Sequence, residues 1–188
     1  MRTKNEWQNF ESEFLMKIKE KEAWKNISAN ENLPWSLDLI EKYADKLDWK
    51  ALCANRGITW DVEMIEKFKQ RIDWDMLSET ILGGKWTAQR GTKANWDIFE
   101  KFERYWNWHE LSKTECLIPD YILEQFADNW DWKELITNRY IKWSYSHFEK
   151  FKRYIPLNDF EALKESALWI SLISIDEQII TGKMLASL

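Results

Sequence analysis

The sequence predicts an all-α protein, a right-handed α-solenoid-like array of about five 25-residue helix-turn-helix repeats with a C-terminal helical cap. Three observations predict it: a recurring tryptophan motif, a second motif typical of an amphipathic helix, and an aromatic-rich composition. Fourteen Trp, nine Phe and six Tyr stand beside only five Gly and three Pro. That balance disfavours both a turn-rich β protein and a disordered chain.

The first motif is a tryptophan, here called the anchor, followed three residues later by leucine or isoleucine. The anchors are Trp24, Trp49, Trp74, Trp108 and Trp132. Four of them directly follow a residue whose side chain can cap a helix, namely Asp48, Asp73, Asn107 and Asp131. Glu110 and Glu134 stand three residues after their caps, which predicts capping boxes. Each repeat is therefore expected to open with a short capped helix.

The second motif has four consecutive positions: an apolar residue, a glutamate, either lysine or glutamine, and an aromatic residue. Its copies begin at Ile40, Ile65, Phe99, Leu123 and Phe148. With the next apolar residue each copy gives i, i+3, i+7 spacing, which predicts one buried stripe on a longer second helix. The expected caps of these helices are Ser36, Asp61, Asn95 and Ser144. Two short helices cannot bury their own apolar face, so neighbouring repeats are expected to share a core.

The whole chain, 1–188, is expected to form a single domain. An N-terminal helix or half-repeat occupies 1–22, with Leu15 and Ile18 in the positions of a second helix. Five repeats occupy 23–157. Residues 158–188 leave the pattern and are expected to form two capping helices, the last beginning at the capping box Ser174-x-x-Glu177.

Residues 48–55, Asp-Trp-Lys-Ala-Leu-Cys-Ala-Asn, and the copies that begin at Asp73 and Asn107 resemble a known repeat. This is the short Trp-rich repeat, with a D-W-x-x-L-S-x-N core, of Bacteroidetes-type bacteria and some large DNA viruses. The resemblance runs from Trp24 to about Tyr154. It implies helical repeats and no enzymatic activity, because those proteins look like scaffolds of uncharacterised function. Cys53 and Ile136 depart from the usual serine.

Residues with catalytic or metal-binding chemistry are sparse. His109, His147, Cys53 and Cys116 show no ligand spacing in the sequence, although they could still meet in space. The Gly83-Gly84 pair lacks the Lys-Ser/Thr of a phosphate loop. The sequence therefore predicts no enzyme, no catalytic residue, no metal site and no cofactor.

One glutamate recurs in the second motif, as Glu41, Glu66, Glu100, Glu124 and Glu149. It can belong to a solvent-exposed helix face with i, i+4 ion pairs, such as Glu149 with Arg153. Alternatively it accepts a hydrogen bond from a neighbouring repeat, such as one from an anchor indole N–H.

Two segments lack acidic residues and are the expected partner-binding sites. Residues 81–95 contain an insertion with Lys85, Trp86, Arg90 and Lys93, and residues 135–148 contain Arg139, Lys142 and Tyr145. Arginine and tryptophan are common interface anchors. The alternatives are a loop without a role for the first segment and a place for Trp143 in the repeat core for the second.

These observations predict a non-enzymatic interaction protein that binds a protein or ribonucleoprotein, as an adaptor or as an inhibitor of the anti-defence, anti-CRISPR-like kind. The alternative is repeat-based binding of single-stranded RNA or DNA. The position seven residues after each anchor holds Glu31, Arg56, Ile81, Glu115 and Arg139, which is no uniform basic row. A net charge of −5 also disfavours a polyanion-binding surface over the whole protein, while local basic-aromatic patches leave nucleic acid open as a partner.

With no secretion signal or membrane-length apolar run, we expect a cytoplasmic protein without a membrane partner.

Overall fold

The computed structural model of the chain describes residues 4–82 and 93–185. All regular secondary structure in these two ranges is α-helical, which confirms the all-α prediction for them. The chain groups into two compact units, Met1–Gly91 and Thr92–Leu188, here called unit 1 and unit 2.

Unit 1 contains a long helix followed by alternating second and first helices of the repeats. The helices are α1 (Lys4–Ser28), α2 (Leu37–Tyr43), α3 (Trp49–Cys53), α4 (Val62–Phe68) and α5 (Trp74–Thr80). The first helices lie side by side, since α3 packs against both α1 and α5.

Unit 2 repeats the alternation and ends in two further helices. The helices are α6 (Lys93–Lys101), α7 (Trp108–Ser112), α8 (Asp120–Gln125), α9 (Trp132–Leu135), α10 (Tyr145–Phe151), α11 (Phe160–Lys164) and α12 (Ala167–Leu185). Again the first helices are neighbours, because α7 packs against α9.

The predicted caps of the first helices are confirmed. Asp48 Oδ1 accepts from the Ala51 N–H at 2.8 Å, and Asp73, Asn107 and Asp131 make the same bond in their own helices. The capping box predicted at Glu134 is wrong, because the backbone N–H of Asp131 donates to Ser112 Oγ at 2.9 Å. That N–H is used to join two repeats rather than to close its own helix.

The caps of the second helices are confirmed in part. Ser36 accepts from the Leu39 N–H at 3.2 Å and Asp61 accepts from the Met64 N–H at 2.8 Å. Ser144 stands at the start of α10 but makes no capping bond to the backbone. Helix α6 begins at Lys93, so Asn95 lies inside it and is not its cap.

Both ends of the chain differ from the sequence prediction. Helix α1 runs without a break through residues 22 and 23, because no glycine or proline interrupts it. Leu15 and Ile18 are 55% and 48% exposed, so they form no buried stripe. Helix α12 begins at Ala167 with Ser166 Oγ accepting from the Trp169 N–H at 3.1 Å, and Ser174 lies within it.

The core is built from two recurring positions. One is the third residue after the anchor, and the other is the first residue of the second motif. Eight of these residues have no exposed surface: Ile40, Leu52, Ile65, Leu77, Phe99, Leu111, Leu123 and Leu135. This confirms the periodic core, and Ile27 and Phe148 are the two departures from it.

The anchor tryptophans lie at the edge of this core. Trp132 is 5% exposed, whereas Trp24, Trp49, Trp74 and Trp108 are only half-buried. Four anchors pack against the aromatic residue of the following second helix, with ring centroids 4.8 to 5.4 Å apart in the pairs Trp24–Tyr43, Trp49–Phe68, Trp108–Phe126 and Trp132–Phe151.

The indole N–H groups of the anchors bind backbone rather than glutamate. Trp49 donates to the Ala44 carbonyl at 3.0 Å and Trp132 donates to the Ala127 carbonyl at 2.8 Å, with the same five-residue step at Trp74 and Trp108. These carbonyls lie just beyond the preceding second helix, where a helix leaves carbonyl groups without partners. The proposed bond from an anchor indole to the recurring glutamate is therefore wrong for these four anchors.

Candidate interaction surface

The insertion predicted to bind a partner lies mostly outside the described residues. This applies to Lys85, Trp86 and Arg90, and to the side chain of Lys93, whose backbone begins α6. A partner-binding role for these four residues stays a prediction.

The second predicted segment is partly on the surface and partly in the core. Arg139 and Lys142 are exposed in the loop before α10, and neither has an ion-pair partner among the described residues. Tyr145 is 42% exposed, but its hydroxyl donates to Asp176 Oδ2 at 2.5 Å. Trp143 is 4% exposed and donates to the Asn138 carbonyl at 2.9 Å, so it belongs to the core. Of this segment, Arg139 and Lys142 remain available to a partner.

The recurring glutamate forms surface ion pairs, in two cases with the next repeat. Glu41 binds Lys67 at 2.7 Å, and Glu124 binds Lys150, which is also 26 residues further along. Glu149 instead pairs within its own helix, with Lys152 at 2.9 Å. Exposed pairs of this kind stabilise a fold by roughly 0–1 kcal/mol each. The two pairs between repeats therefore hold successive second helices in register and add little stability.

The predicted pair of Glu149 with Arg153 is wrong. Arg153 lies 4.4 Å above the Tyr154 ring, and its guanidinium is 3.9 Å from Asp128. Tyr154 also donates to Asp128 Oδ1 at 2.6 Å. The arginine therefore joins the network that links α10 to the preceding second helix.

The serine position four residues after the anchor joins successive repeats, a role that the sequence analysis did not assign to it. Ser28 Oγ donates to the Trp24 carbonyl at 2.8 Å and accepts from the Asp48 N–H at 2.9 Å. Ser112 Oγ makes the equivalent bonds to the Trp108 carbonyl at 2.7 Å and from the Asp131 N–H at 2.9 Å. The recurrence of serine at a buried helix position was the available signal.

Cys53 takes the same position in the second repeat, where burial raises the pKa of its thiol to about 12, against a smaller lowering by the nearby Asp73 backbone N–H. Its sulfur stands where a serine oxygen stands in the first and fourth repeats. Ile136 needs no polar side chain, because the following segment bonds to its backbone. The Leu168 N–H donates to the Ile136 carbonyl at 3.1 Å. The two departures from serine thus have different structural reasons.

The asparagine six residues after the anchor also joins repeats. Asn55 Nδ2 donates to the Ser28 carbonyl at 2.8 Å, and its Oδ1 accepts from the Gly57 N–H at 2.8 Å. A Cβ at Gly57 would lie 2.4 Å from the Glu31 carbonyl oxygen, so this turn needs glycine. Asn138 repeats the arrangement in unit 2, and both asparagines are 4% exposed. These recurring asparagines are thus buried between neighbouring repeats.

Both histidines meet carboxylates that lie far away in the sequence. His109 Nδ1 is 2.6 Å from Asp131 Oδ2. Burial tends to raise the pKa of Asp131, but the bonds from His109 and from the backbone N–H groups of Glu134 and Lys133 outweigh it and lower that pKa below its usual value. Separations of 22 and 27 residues explain why the sequence pattern did not reveal these histidine pairs.

His147 lies between Ser144 and Asp120. Its Nδ1 is 2.7 Å from Ser144 Oγ and its Nε2 is 3.2 Å from Asp120 Oδ1. These are the residue types of a hydrolytic triad, but the serine hydroxyl is also 2.9 Å from Ser146 Oγ and the Asp120 side chain is 70% exposed. In a hydrolytic triad the carboxylate is buried against its histidine. The contacts tie the starts of α8 and α10 together.

A groove of about 640 Å³ crosses the first helices of unit 1. Its described lining comes from α1, α3, α5 and the caps and turns beside them: Ile18, Lys21, Glu22, Lys25, Asp48, Lys50, Ala51, Ala54 and Met76. The three lysines are exposed and have no ion-pair partner among the described residues. Sequence analysis missed this groove, although Lys25 and Lys50 each directly follow an anchor.

Comparison with protein-family models, curated proteins and solved structures gives no match for this chain. Along the described residues no helix is long and apolar enough to cross a membrane. Nor do those residues contain a group of three or more His, Cys, Asp or Glu side chains placed to hold a metal ion.

Proposed function

We propose that this chain is a non-enzymatic interaction protein that binds a protein or ribonucleoprotein partner, as an adaptor or as an inhibitor. Its repeats are proposed to stack in the manner of a right-handed α-solenoid. Support for the stacking comes from within each unit, where first helices pack side by side and serine, asparagine and glutamate bond to the next repeat.

The observation that carries the proposal is the groove across α1, α3 and α5. Extended surfaces formed by successive repeats are the usual binding surfaces of solenoid proteins. The groove contains exposed Ile18 and half-buried Met76 next to lysines that have no ion-pair partner among the described residues. By contrast, the buried polar residues of the repeats already have partners inside the chain.

The binding of a macromolecule is tested by affinity purification of the tagged chain from its native host, with and without nuclease, followed by mass spectrometry. We expect a protein that is enriched over a tag-only control in both eluates. Enrichment of no protein would contradict the proposal. Loss of all captured material after nuclease would favour the alternative, repeat-based binding of single-stranded nucleic acid.

The nucleic-acid alternative has its own test in the basic residues of the insertion. Binding to polyanions through phosphate contacts weakens steeply with salt. Under this alternative the chain is retained on heparin at low salt, and changing Lys85, Arg90 and Lys93 to glutamate reduces that retention. No retention on heparin at low salt would count against this alternative.

The absence of enzymatic activity is tested at Ser144. Because its hydroxyl contacts both His147 and Ser146, we expect no labelling by a fluorophosphonate probe. Labelling that disappears in Ser144→Ala and in His147→Gln would show an activated serine and overturn this part of the proposal.

A further inference from the structure

We propose that the groove across α1, α3 and α5 docks an acidic, amphipathic segment of a partner protein. This inference rests on the proposed function, since it specifies where the partner binds and what chemistry recognises it. It follows from a comparison of equivalent repeat positions and from the composition of the groove.

The position directly after the anchor carries a basic residue in four repeats. In unit 2 these side chains have partners inside the chain, because His109 binds Asp131 at 2.6 Å and Lys133 binds Asp159 at 2.8 Å. In unit 1 the same position holds Lys25 and Lys50, which have no ion-pair partner among the described residues. The cap Asp48 corresponds to Asp131, but no ion pair joins it to Lys25, so Lys25 and Lys50 are open to an external carboxylate.

The charge of the groove favours an acidic ligand. Lys21 lies one helical turn before Lys25 on α1, so two ammonium groups line the same wall, and Lys50 faces them from α3. The acidic residues of the lining are Glu22 and Asp48, so three ammonium groups stand against two carboxylates in the groove. The groove is therefore locally basic on a chain whose net charge is −5.

The floor of the groove is apolar and shallow. Ala51 and Ala54 are half-buried, which lets a ligand approach α3 closely, and Ile18 is 48% exposed at one side. Met76 is half-buried at the other side and can adapt to different apolar side chains. An amphipathic helix can place its apolar face on this floor and its carboxylates against the lysines.

The same composition disfavours nucleic acid in this groove. Proteins that bind single strands without sequence preference stack bases on aromatic side chains and use arginine. None of the described residues that line the groove is aromatic or arginine. Lysine and methionine recognise charge and apolar volume, which an acidic amphipathic peptide supplies together.

The test is fluorescence anisotropy with the full chain and three labelled probes. The first probe is an amphipathic peptide with leucine on one face and glutamate on the other, the second has lysine in place of every glutamate, and the third is single-stranded oligo(U). The protein variants are Lys25→Glu with Lys50→Glu, and a matched control outside the predicted binding segments, Arg56→Glu with Arg104→Glu. Both double variants reverse two exposed charges without ion-pair partners among the described residues, so their melting temperatures are expected to equal that of the wild type.

We expect the glutamate peptide to bind the wild type and the control variant equally, and the groove variant about tenfold more weakly, as two lost ion pairs and new repulsion imply. The lysine peptide should not bind. Equal binding of the glutamate peptide to both double variants, or no binding to the wild type, overturns the docking site. Tighter binding of oligo(U) that is lost in the groove variant overturns it in favour of nucleic acid.

Affinity purification with the groove variant separates this inference from the proposed function. If the partner is captured by the wild type and the control but not by the groove variant, both are supported. If the groove variant still captures it, the docking site is wrong and the proposed function stands. If the wild type captures no partner, the proposed function fails.

Discussion

Replacing Ser112 by alanine tests the hydrogen-bonded joint between successive repeats. The Ser112 side chain is 1% exposed, and its Oγ accepts from the Asp131 N–H at 2.9 Å. Alanine would leave that N–H without an acceptor in a place closed to water. Leaving a buried donor unsatisfied costs about 1–3 kcal/mol. We therefore expect Ser112→Ala to lower the free energy of unfolding by about 2 kcal/mol.

The chain supplies a matched control for this change. Cys53 holds the equivalent position with its thiol near the Asp73 backbone N–H, so Ser112→Cys keeps a weak sulfur acceptor beside the Asp131 N–H. We expect it to retain at least half of the stability that alanine loses. Urea denaturation followed by far-UV circular dichroism measures both variants. Equal losses for cysteine and alanine, or a loss under about 0.5 kcal/mol for alanine, would refute the joint as a source of stability.

Three further predictions follow from burial and charge. Trp132→Ala should lower the free energy of unfolding by about 3–5 kcal/mol and Trp74→Ala by less, because Trp132 is 5% exposed and Trp74 is half-buried; equal losses in urea denaturation would contradict this. Cys53, with a thiol pKa near 12, should not react with a disulfide reagent at about pH 8 until the protein is unfolded, and rapid reaction of the native protein would refute its burial. The pKa of the Asp131 carboxyl is lowered in the fold, so its ionised form stabilises the protein at pH values above its ordinary pKa of 3.8. That stabilisation is lost as the pH falls through the lowered pKa. Asp131→Asn keeps the cap, as Asn107 shows, so its stability should fall less than that of the wild type between about pH 5 and pH 2; parallel pH profiles would contradict the linkage.

The periodic features of the fold could be predicted from the sequence. The caps at Asp48 and Asp73 and the buried positions of Leu52 and Ile65 each depend on residues within one or two helical turns. Local hydrogen bonding and helical periodicity fix these features, so a repeating pattern reveals them. Predictions at the chain ends were weaker, since α1 crosses the expected boundary and α12 begins at Ala167 rather than near Ser174. There the pattern ends, and tertiary packing decides which residues start a helix.

The candidate site could be predicted only in part. The exposure of Arg139 and Lys142 agrees with their basic, acid-poor context, while the partner of Tyr145 lies 31 residues away and was not predictable. The groove was missed because its walls come from three separate helices, and the local sequence pattern does not show which helices pack together.

The sequence by itself determined that the described parts of this chain are helical, that the unit is a capped helix pair, and which apolar positions of most units are buried. These properties follow from interactions between residues three, four or seven positions apart. The tertiary structure alone decided the partners of equivalent basic residues. Lys133 and His109 meet carboxylates of the next segment, whereas Lys25 and Lys50 meet none among the described residues. The physical reason is that an ion pair depends on the distance between groups brought together by packing, which the residue types alone do not fix.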